Sequence, residues 1–273
     1  MPIAGREAKL KIDLKKKRVF KEIMSDLKIS TMTIVSKFGA DIELEKVYNN
    51  TELDDSLVCI EYGSNPKKGD NKKKVKKIRK TTTPKKSFYN QATLHFMDKE
   101  KTNGKPINMK IFNNGSCQLT GVPNIESAQR TIDKTKELLV KNNIIRNVPE
   151  NYPLDICLIN SGFTLREIVD REYFYNILEQ KYNFYVNYEP DSYPGINLKY
   201  YWNDLTQNDP NVCGRCCCED YCEGKGTGSG ESECRRISIM IFQSGQVIIT
   251  GCCTIEKLKF IHKFIIKLFN ENK

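Results

Sequence analysis

Six cysteines fall within residues 213–234 of a 273-residue chain that holds eleven in all. The segment VCGRCCCEDYCEGKGTGSGESEC separates Cys213 and Cys216 by two residues, continues with Cys217, Cys218 and Cys222, and closes on Cys234. Thiolates in closely spaced pairs are the ligands of structural zinc, which takes four of them at tetrahedral corners. Cys213 with Cys216 offers one pair, and Cys218, Cys222 and Cys234 would supply the second. A second Cys-x-x-Cys is missing, so two readings stand. One is a structural zinc drawing on Cys213, Cys216, Cys218, Cys222 and Cys234; the other is a flexible, redox-sensitive loop, for which GKGTGSGE has the composition. The cysteines at 59, 117, 157, 252 and 253 lie in apolar stretches of strand character and read as core residues.

Little else is arranged for chemistry. His95 and His262 are the two histidines, and His262 sits in the apolar helical pattern LKFIHKFIIKLF, a core or helix-edge position. Sparse histidine and the lack of a Gly-rich phosphate loop argue against a hydrolase or a nucleotide-dependent enzyme, so no catalytic residue and no required cofactor are assigned. The formal charge of +10, with 39% hydrophobic and 29% charged residues, describes a globular chain with a polyanionic partner. Nucleic acid ranks before an anionic membrane surface. There is no apolar run of the ~18 residues a membrane span needs, and residues 1–11 lack a signal-peptide core. A reducing intracellular compartment is expected, where crowded thiols point to metal before disulfides.

The elements that must position these groups follow from periodicity. Residues 1–28 form a Lys-rich arm; 29–38 (ISTMTIVSKF) and 56–63 (SLVCIEYG) alternate as strands around a short amphipathic helix in DIELEKVYNN. Residues 64–86 then pack eleven Lys and Arg with almost nothing to bury, a block suited to contacting phosphate or signalling nuclear import. INMKIFNNGSCQLTG is a hairpin turning on Asn114-Gly115, and a helix capped by Asn124 follows. The second half runs YPLDICLIN as strand, TLREIVDREYFYNILEQKY as helix, NFYVNYEPDSYPGINLKYYW as strand and turn, then a second hairpin and helix.

That second hairpin, IFQSGQVIITG at 241–251, repeats IFNNGSCQLTG at 111–121. An offset of 130 carries Ile107, Ile111, Phe112, Gly115, Thr120, Gly121, Ile125, Glu126 and Leu138 onto identical residues without a gap. A two-fold internal repeat predicts two similar α+β halves sharing a sheet. Alternation puts Phe112, Gln118 and Thr120, and Phe242, Ile248 and Thr250, on the strand face turned from the helices. Large apolar residues on an open sheet mean a partner. For a basic chain, the partner that accepts phenylalanine wedges and threonine hydroxyls is the minor groove of AT-rich duplex DNA.

These residues resemble the TATA-box-binding protein family. YEPDSYPG (188–195) is similar to that family's YEPELFPG, IFQSGQVIITG to its IFVSGKVVLTG, and IFNNGSCQLTG to its IFSSGKMVCTG. The likeness covers 29–273, except the basic block 64–86 and the Cys-rich block 205–234. It implies an α+β saddle of two pseudo-symmetric repeats, a curved antiparallel sheet with helices on the convex side. The domains would be a basic arm 1–28, a first repeat 29–145 and a second repeat 146–273. Phe112, Phe242, Tyr193 and Phe88 match the family's DNA wedges, with tyrosine at 193 in place of phenylalanine. Thr120 and Thr250 match its base-contacting threonines, Ile248 and Met240 its apolar groove contacts, and Lys199 an arginine that touches phosphate. Glu189 and Asp191 match acidic residues that engage transcription factor IIB.

Lys110 and Gln118 depart from the family, standing where its first half is apolar. Of its paired asparagines, Thr31 takes the first position and Asn151 only approximates the second. Strict TATA preference is thereby in doubt, while minor-groove binding rests more on wedges, shape and charge. The resemblance implies a non-enzymatic initiation factor that bends promoter DNA and recruits a transcription factor IIB-like protein and RNA polymerase machinery, with no membrane or small-molecule substrate. It would act in the nucleus or at an intracellular viral transcription site; the Lys, Asn and Ile bias suits an AT-rich genome, and the insertions suit a fast-diverging lineage such as a large DNA virus or a protist. The competing readings are a protein-interaction scaffold on the same fold, with DNA binding reduced or lost, and an accessory domain of a nucleic-acid enzyme.

Overall fold

The computed structural model describes residues 27–69, 88–98, 104–146, 152–219, 222–252 and 254–273. The expected arm apart from its last two residues, the basic block beyond Gly69, and Asn151 lie outside them. The chain divides into two compact units, Thr31–Leu158 and a second made chiefly of Ile159–Lys273. In the first half run β1 (Lys28–Lys37), α1 (Leu44–Asn50), β2 (Leu57–Tyr62), β3 (Lys68–Gly69), β4 (Gln91–Phe96), β5 (Ile107–Phe112), β6 (Ser116–Val122) and α2 (Ile125–Lys141). The second has β7 (Asp155–Thr164), α3 (Arg171–Asn176) widening into a π turn at Ile177–Lys181, β8 (Tyr185–Asn187), β9 (Ile196–Trp202), β10 (Arg235–Ile241), β11 (Gln246–Cys252) and α4 (Ile255–Asn270).

Within each half the strands are antiparallel, in the orders β3-β2-β4-β5-β6-β1 and β7-β11-β10-β9-β8. Strict alternation makes one side of every hairpin a core face: Ile107, Met109, Ile111, Cys117 and Leu119 are buried, as are Ile237, Ile239, Ile241, Val247 and Ile249. Each such side chain contributes about 1.5–3 kcal/mol on leaving water. The helix after each hairpin covers that face. Ala128, Thr131, Ile132 and Thr135 of α2 are buried, and so are Leu258, Ile261, His262 and Ile265 of α4, each 130 residues on.

His262 therefore occupies the place of Ile132, packed edge-on against the Phe163 ring at 4.4 Å, in the core role read from its pattern. Both helices also start alike, with the Asn124 side chain accepting the Ser127 N–H and the Thr254 side chain accepting the Lys257 N–H.

The repeated glycines have defined tasks. Gly115 and Gly245 turn the hairpins at φ +74° and +78°, and a Cβ on either would stand 2.1 Å from the Ala40 carbonyl oxygen or 2.3 Å from that of Glu167. Room is needed because the chain leaving β1 or β7 hydrogen-bonds onto the turn: Phe38 N–H to Gly115 O and Leu165 N–H to Gly245 O, both 2.8 Å. Gly121 and Gly251, also at positive φ, are the residues at which the β1–β6 and β7–β11 registers skip, so each closing Thr-Gly is a β-bulge.

The expected curved saddle is not what forms. The strand order has two free ends, and the sheet is neither closed nor strongly curled; an antiparallel sheet with helices is what remains of that expectation. Strong curling needs bulges or kinks on many strands. Here the described register irregularities are those two bulges and one at Leu57/Cys59, while β4–β5 and β9–β10 pair in unbroken register. The helix expected over 164–182 also yields: β7 runs on to Thr164, and α3 starts only at Arg171 behind an Asp170 cap.

Candidate nucleic-acid interface and thiol cluster

Because the core takes one side of each hairpin, the other side is left half-exposed and carries the predicted contacts. In the second half, register aligns Asn197, Met240, Ile248 and Gly162 in one row across β9, β10, β11 and β7. The next row reads Lys199, Ser238, Thr250 and Asn160. Lys199 Nζ donates to Ser238 Oγ at 2.9 Å, and Thr250 Oγ1 donates to Asn160 Oδ1 at 2.6 Å. Burial, and then the nearby Arg236 guanidinium, hold the Lys199 ammonium below its ordinary value. Two cations kept close on one face favour an anion arriving there.

Just past β10, Phe242 meets Tyr193 with ring centroids 5.9 Å apart and planes at 60°. The Tyr193 hydroxyl donates to Met240 Sδ at 3.2 Å, so three predicted contacts form one cluster. Gly195 makes this fit, since a Cβ there would come within 3.0 Å of the Phe242 ring and 3.1 Å of the Tyr193 ring. Tyr193 remains 42% exposed. Glu189 and Asp191 stand on the same exposed loop, whose turn is closed by the Ser192 and Tyr193 N–H groups donating to Glu189 O.

The first half has the same frame and a different surface. Its rows are Thr93, Lys110, Gln118 and Val35, and His95, Asn108, Thr120 and Thr33. Phe112 pairs with Gln91 and lines a hollow of about 490 Å³ with Val35, Lys37, Gln118 and Asp155. Phe88, 58% exposed, precedes β4 by three residues, and Thr31 lies on β1 on the same side as Thr33. Sequence reasoning missed Thr33, Asn160 and Arg236. The first two are matched by an offset of 127 rather than 130, because the long segments between β1 and β5 and between β7 and β10 differ in length.

The Cys-rich insertion brings four sulfurs together. Ligand atoms of Cys216, Cys218, Cys222 and Cys234 all lie within 4.8 Å of one another, a group that could chelate a structural zinc ion. Cys213 is apart from it, buried with its sulfur 3.2 Å from the Tyr200 hydroxyl. A second grouping, Cys59, Glu61 and His95, also lies within 4.8 Å. There Glu61 accepts from His95 at 3.1 Å and from Lys67, so an ion pair already accounts for the carboxylate. Burial lowers the His95 pKa more than Glu61 raises it.

No protein-family model matches the chain. It is 27% identical over 281 residues, 93% of its own length and 69% of the relative's, to a TATA-box-binding protein-like protein of Acanthamoeba polyphaga mimivirus. Among solved structures it is similar to Methanococcus jannaschii TBP, with a TM-score of 0.53 and 20% identity over 90% of this chain and 99% of the other. The fold is TBP-like. Both likenesses are to TATA-box-binding proteins or proteins like them, and the structural one carries the fold alone. Among the described residues no helix is long and apolar enough to cross a membrane.

Proposed function

We propose that the chain is a TATA-box-binding-protein-like transcription initiation factor that binds and bends AT-rich promoter DNA from the minor groove. The observation that carries this reading is the pair of exposed Tyr193 and half-exposed Phe242 standing beside the Lys199–Thr250 and Met240–Ile248 rows. Aromatic wedges unstack base steps, threonine and asparagine probe the acceptors of A·T pairs, and cations meet phosphate. Bending is supplied by the wedges acting on deformable steps rather than by curvature of the sheet. The exposed Glu189 and Asp191 loop supports recruitment of a transcription factor IIB-like protein, and through it RNA polymerase machinery, in the nucleus or at a viral transcription site. The domain reading that goes with this is a repeat 29–145 and a repeat 146–273, with the arm and both insertions as additions.

Fluorescence anisotropy with AT-rich and GC-rich duplexes tests it. AT-favouring binding that weakens with salt, and weakens again in Phe112→Ala and Phe242→Ala, is the expected result. Absence of binding at low salt would overturn it and leave the second reading, a protein-interaction scaffold of the same fold. That alternative draws on Lys110, Gln118 and the Asp155 lining beside Phe112.

A further inference from the structure

We propose that Cys216, Cys218, Cys222 and Cys234 form a structural tetrathiolate zinc site, spaced Cys-x-Cys-x3-Cys-x11-Cys, that fastens the insertion 205–234 to β9 and β10. Four sulfurs about 2.3 Å from one zinc ion stand about 3.8 Å from each other. The four sulfurs here fall within 4.8 Å, and Cys218 and Cys234 are 3.5 Å apart, so closing the tetrahedron needs only small side-chain movements.

The backbone is set for sulfur ligands as well. The Cys218 N–H donates to the Cys216 sulfur, and the Gly224 N–H donates to the Cys222 sulfur at 3.3 Å. Each donor is the second residue after its acceptor, so both turns aim an N–H at a sulfur that would carry negative charge, a second shell that orients the ligand. Gly224 is at φ +67°, and a Cβ there would meet Arg236 Cβ at 2.4 Å, so the second turn requires glycine.

The strands hold the frame. Arg236 N–H donates to Gly224 O at 2.7 Å, Tyr201 N–H to Gly214 O at 2.9 Å, and Gly226 N–H to Cys234 O at 3.0 Å. Binding exchanges four thiol protons for one Zn²⁺ and leaves a net charge of −2. Arg236, which donates to the Tyr201 hydroxyl close to Cys216 and Cys222, offsets that charge. The two remaining thiols are committed elsewhere: Cys213 to Tyr200, and Cys217, exposed, to Arg215 O at 3.8 Å. Four protein ligands with no open position make the site structural rather than catalytic.

The test uses the full chain, purified under reducing conditions without chelators and analysed by elemental mass spectrometry. About one zinc per chain is expected, exchangeable for cobalt with the absorption of a tetrahedral tetrathiolate. Cys218→Ser and Cys222→Ser should lose the metal, whereas Cys213→Ser and Cys217→Ser should keep it. A chain folded by circular dichroism that holds no zinc and takes up neither added zinc nor cobalt overturns the proposal. So does zinc loss in Cys217→Ser equal to that in Cys218→Ser, or a disulfide among the four found by alkylation mapping of the freshly lysed protein. DNA binding is not a readout, so failure here leaves the transcription reading intact.

Discussion

On the open side of β5–β6 stand Asn108, Lys110, Phe112, Gln118 and Thr120; at the same places on β10–β11 stand Ser238, Met240, Phe242, Ile248 and Thr250. The core sides of these hairpins hold apolar residues at every matching position. Packing against a helix fixes volume and polarity on one side, whereas the other side answers only to what it touches. Phenylalanine, threonine and both glycines persist across the halves, so the shared parts are the turn, the bulge, one wedge and one hydroxyl. The row between them has diverged, apolar in the second half and cationic and amide-bearing in the first.

The shared frame can be broken most severely at the turns. Gly115→Ala and Gly245→Ala should each cost about 2–4 kcal/mol, from left-handed strain plus the clash with a carbonyl 2.1 or 2.3 Å away. Urea unfolding of the two variants checks the equivalence; a turn that tolerates alanine would show that its half is not built on this contact.

The wedges come next. Phe242→Ala should weaken DNA binding by about 1–3 kcal/mol, the worth of one base–aromatic stack, or roughly 5- to 150-fold. Phe112→Ala should cost less, because Phe112 borders a hollow with Gln118 and Asp155, whereas Phe242 is braced by Tyr193. Anisotropy on one AT-rich duplex ranks them, and a reversed order would place the principal wedge in the first half.

Much of this frame was legible in the sequence for a physical reason. A period of two with turn glycines specifies a hairpin locally, and a +130 match sees both copies because no insertion interrupts hairpin and helix. β6 and β11, found through Gly121 and Gly251, have equal lengths. What escaped depends on distance in sequence. Asn160 reaches Thr250 across 90 residues, and Tyr193 reaches Met240 across 47, so neither contact has a local signature. Curvature escaped for a related reason, since motifs name the turns and not how strongly the strands between them coil. The thiol grouping was legible but for one residue: Cys216, Cys218, Cys222 and Cys234 are all among the sequence candidates, whereas Cys-x-x-Cys also nominates Cys213, whose sulfur lies against a tyrosine hydroxyl 13 residues away.

A smaller effect sharpens the comparison of the diverged rows. Replacing Lys110 with Met and Gln118 with Ile copies the second half's surface onto the first. The double variant should favour AT-rich over GC-rich duplex several-fold more than the parent does, and its salt slope should fall by about 0.9 if Lys110 neutralises a phosphate. Anisotropy across a salt series reads both; an unchanged slope with unchanged preference would mean that the first half's open face does not touch DNA.

The smallest expected effect separates the halves by pH. In the first, Lys134 of α2 donates to Asp54 at 2.8 Å, and the Leu57 and Ser56 N–H groups donate to the same carboxylate. The lysine first, then these N–H groups, hold the Asp54 carboxyl well below its ordinary value of 3.8. A depressed carboxyl contributes stability above its unfolded value and loses it as pH falls toward the lower native one. Asp54 is mostly solvated, so the contribution is screened and small. The second half has its own such carboxylate just ahead of the insertion, Asp204, lowered chiefly by the Ser229 hydroxyl and paired with Lys257 at 3.8 Å. Asp54→Asn should therefore flatten part of the fall in urea midpoint between about pH 5 and about pH 3, and Asp204→Asn a separate part. If Asp54→Asn alone removes the whole dependence, acid sensitivity belongs to the first half, and the second is held by packing.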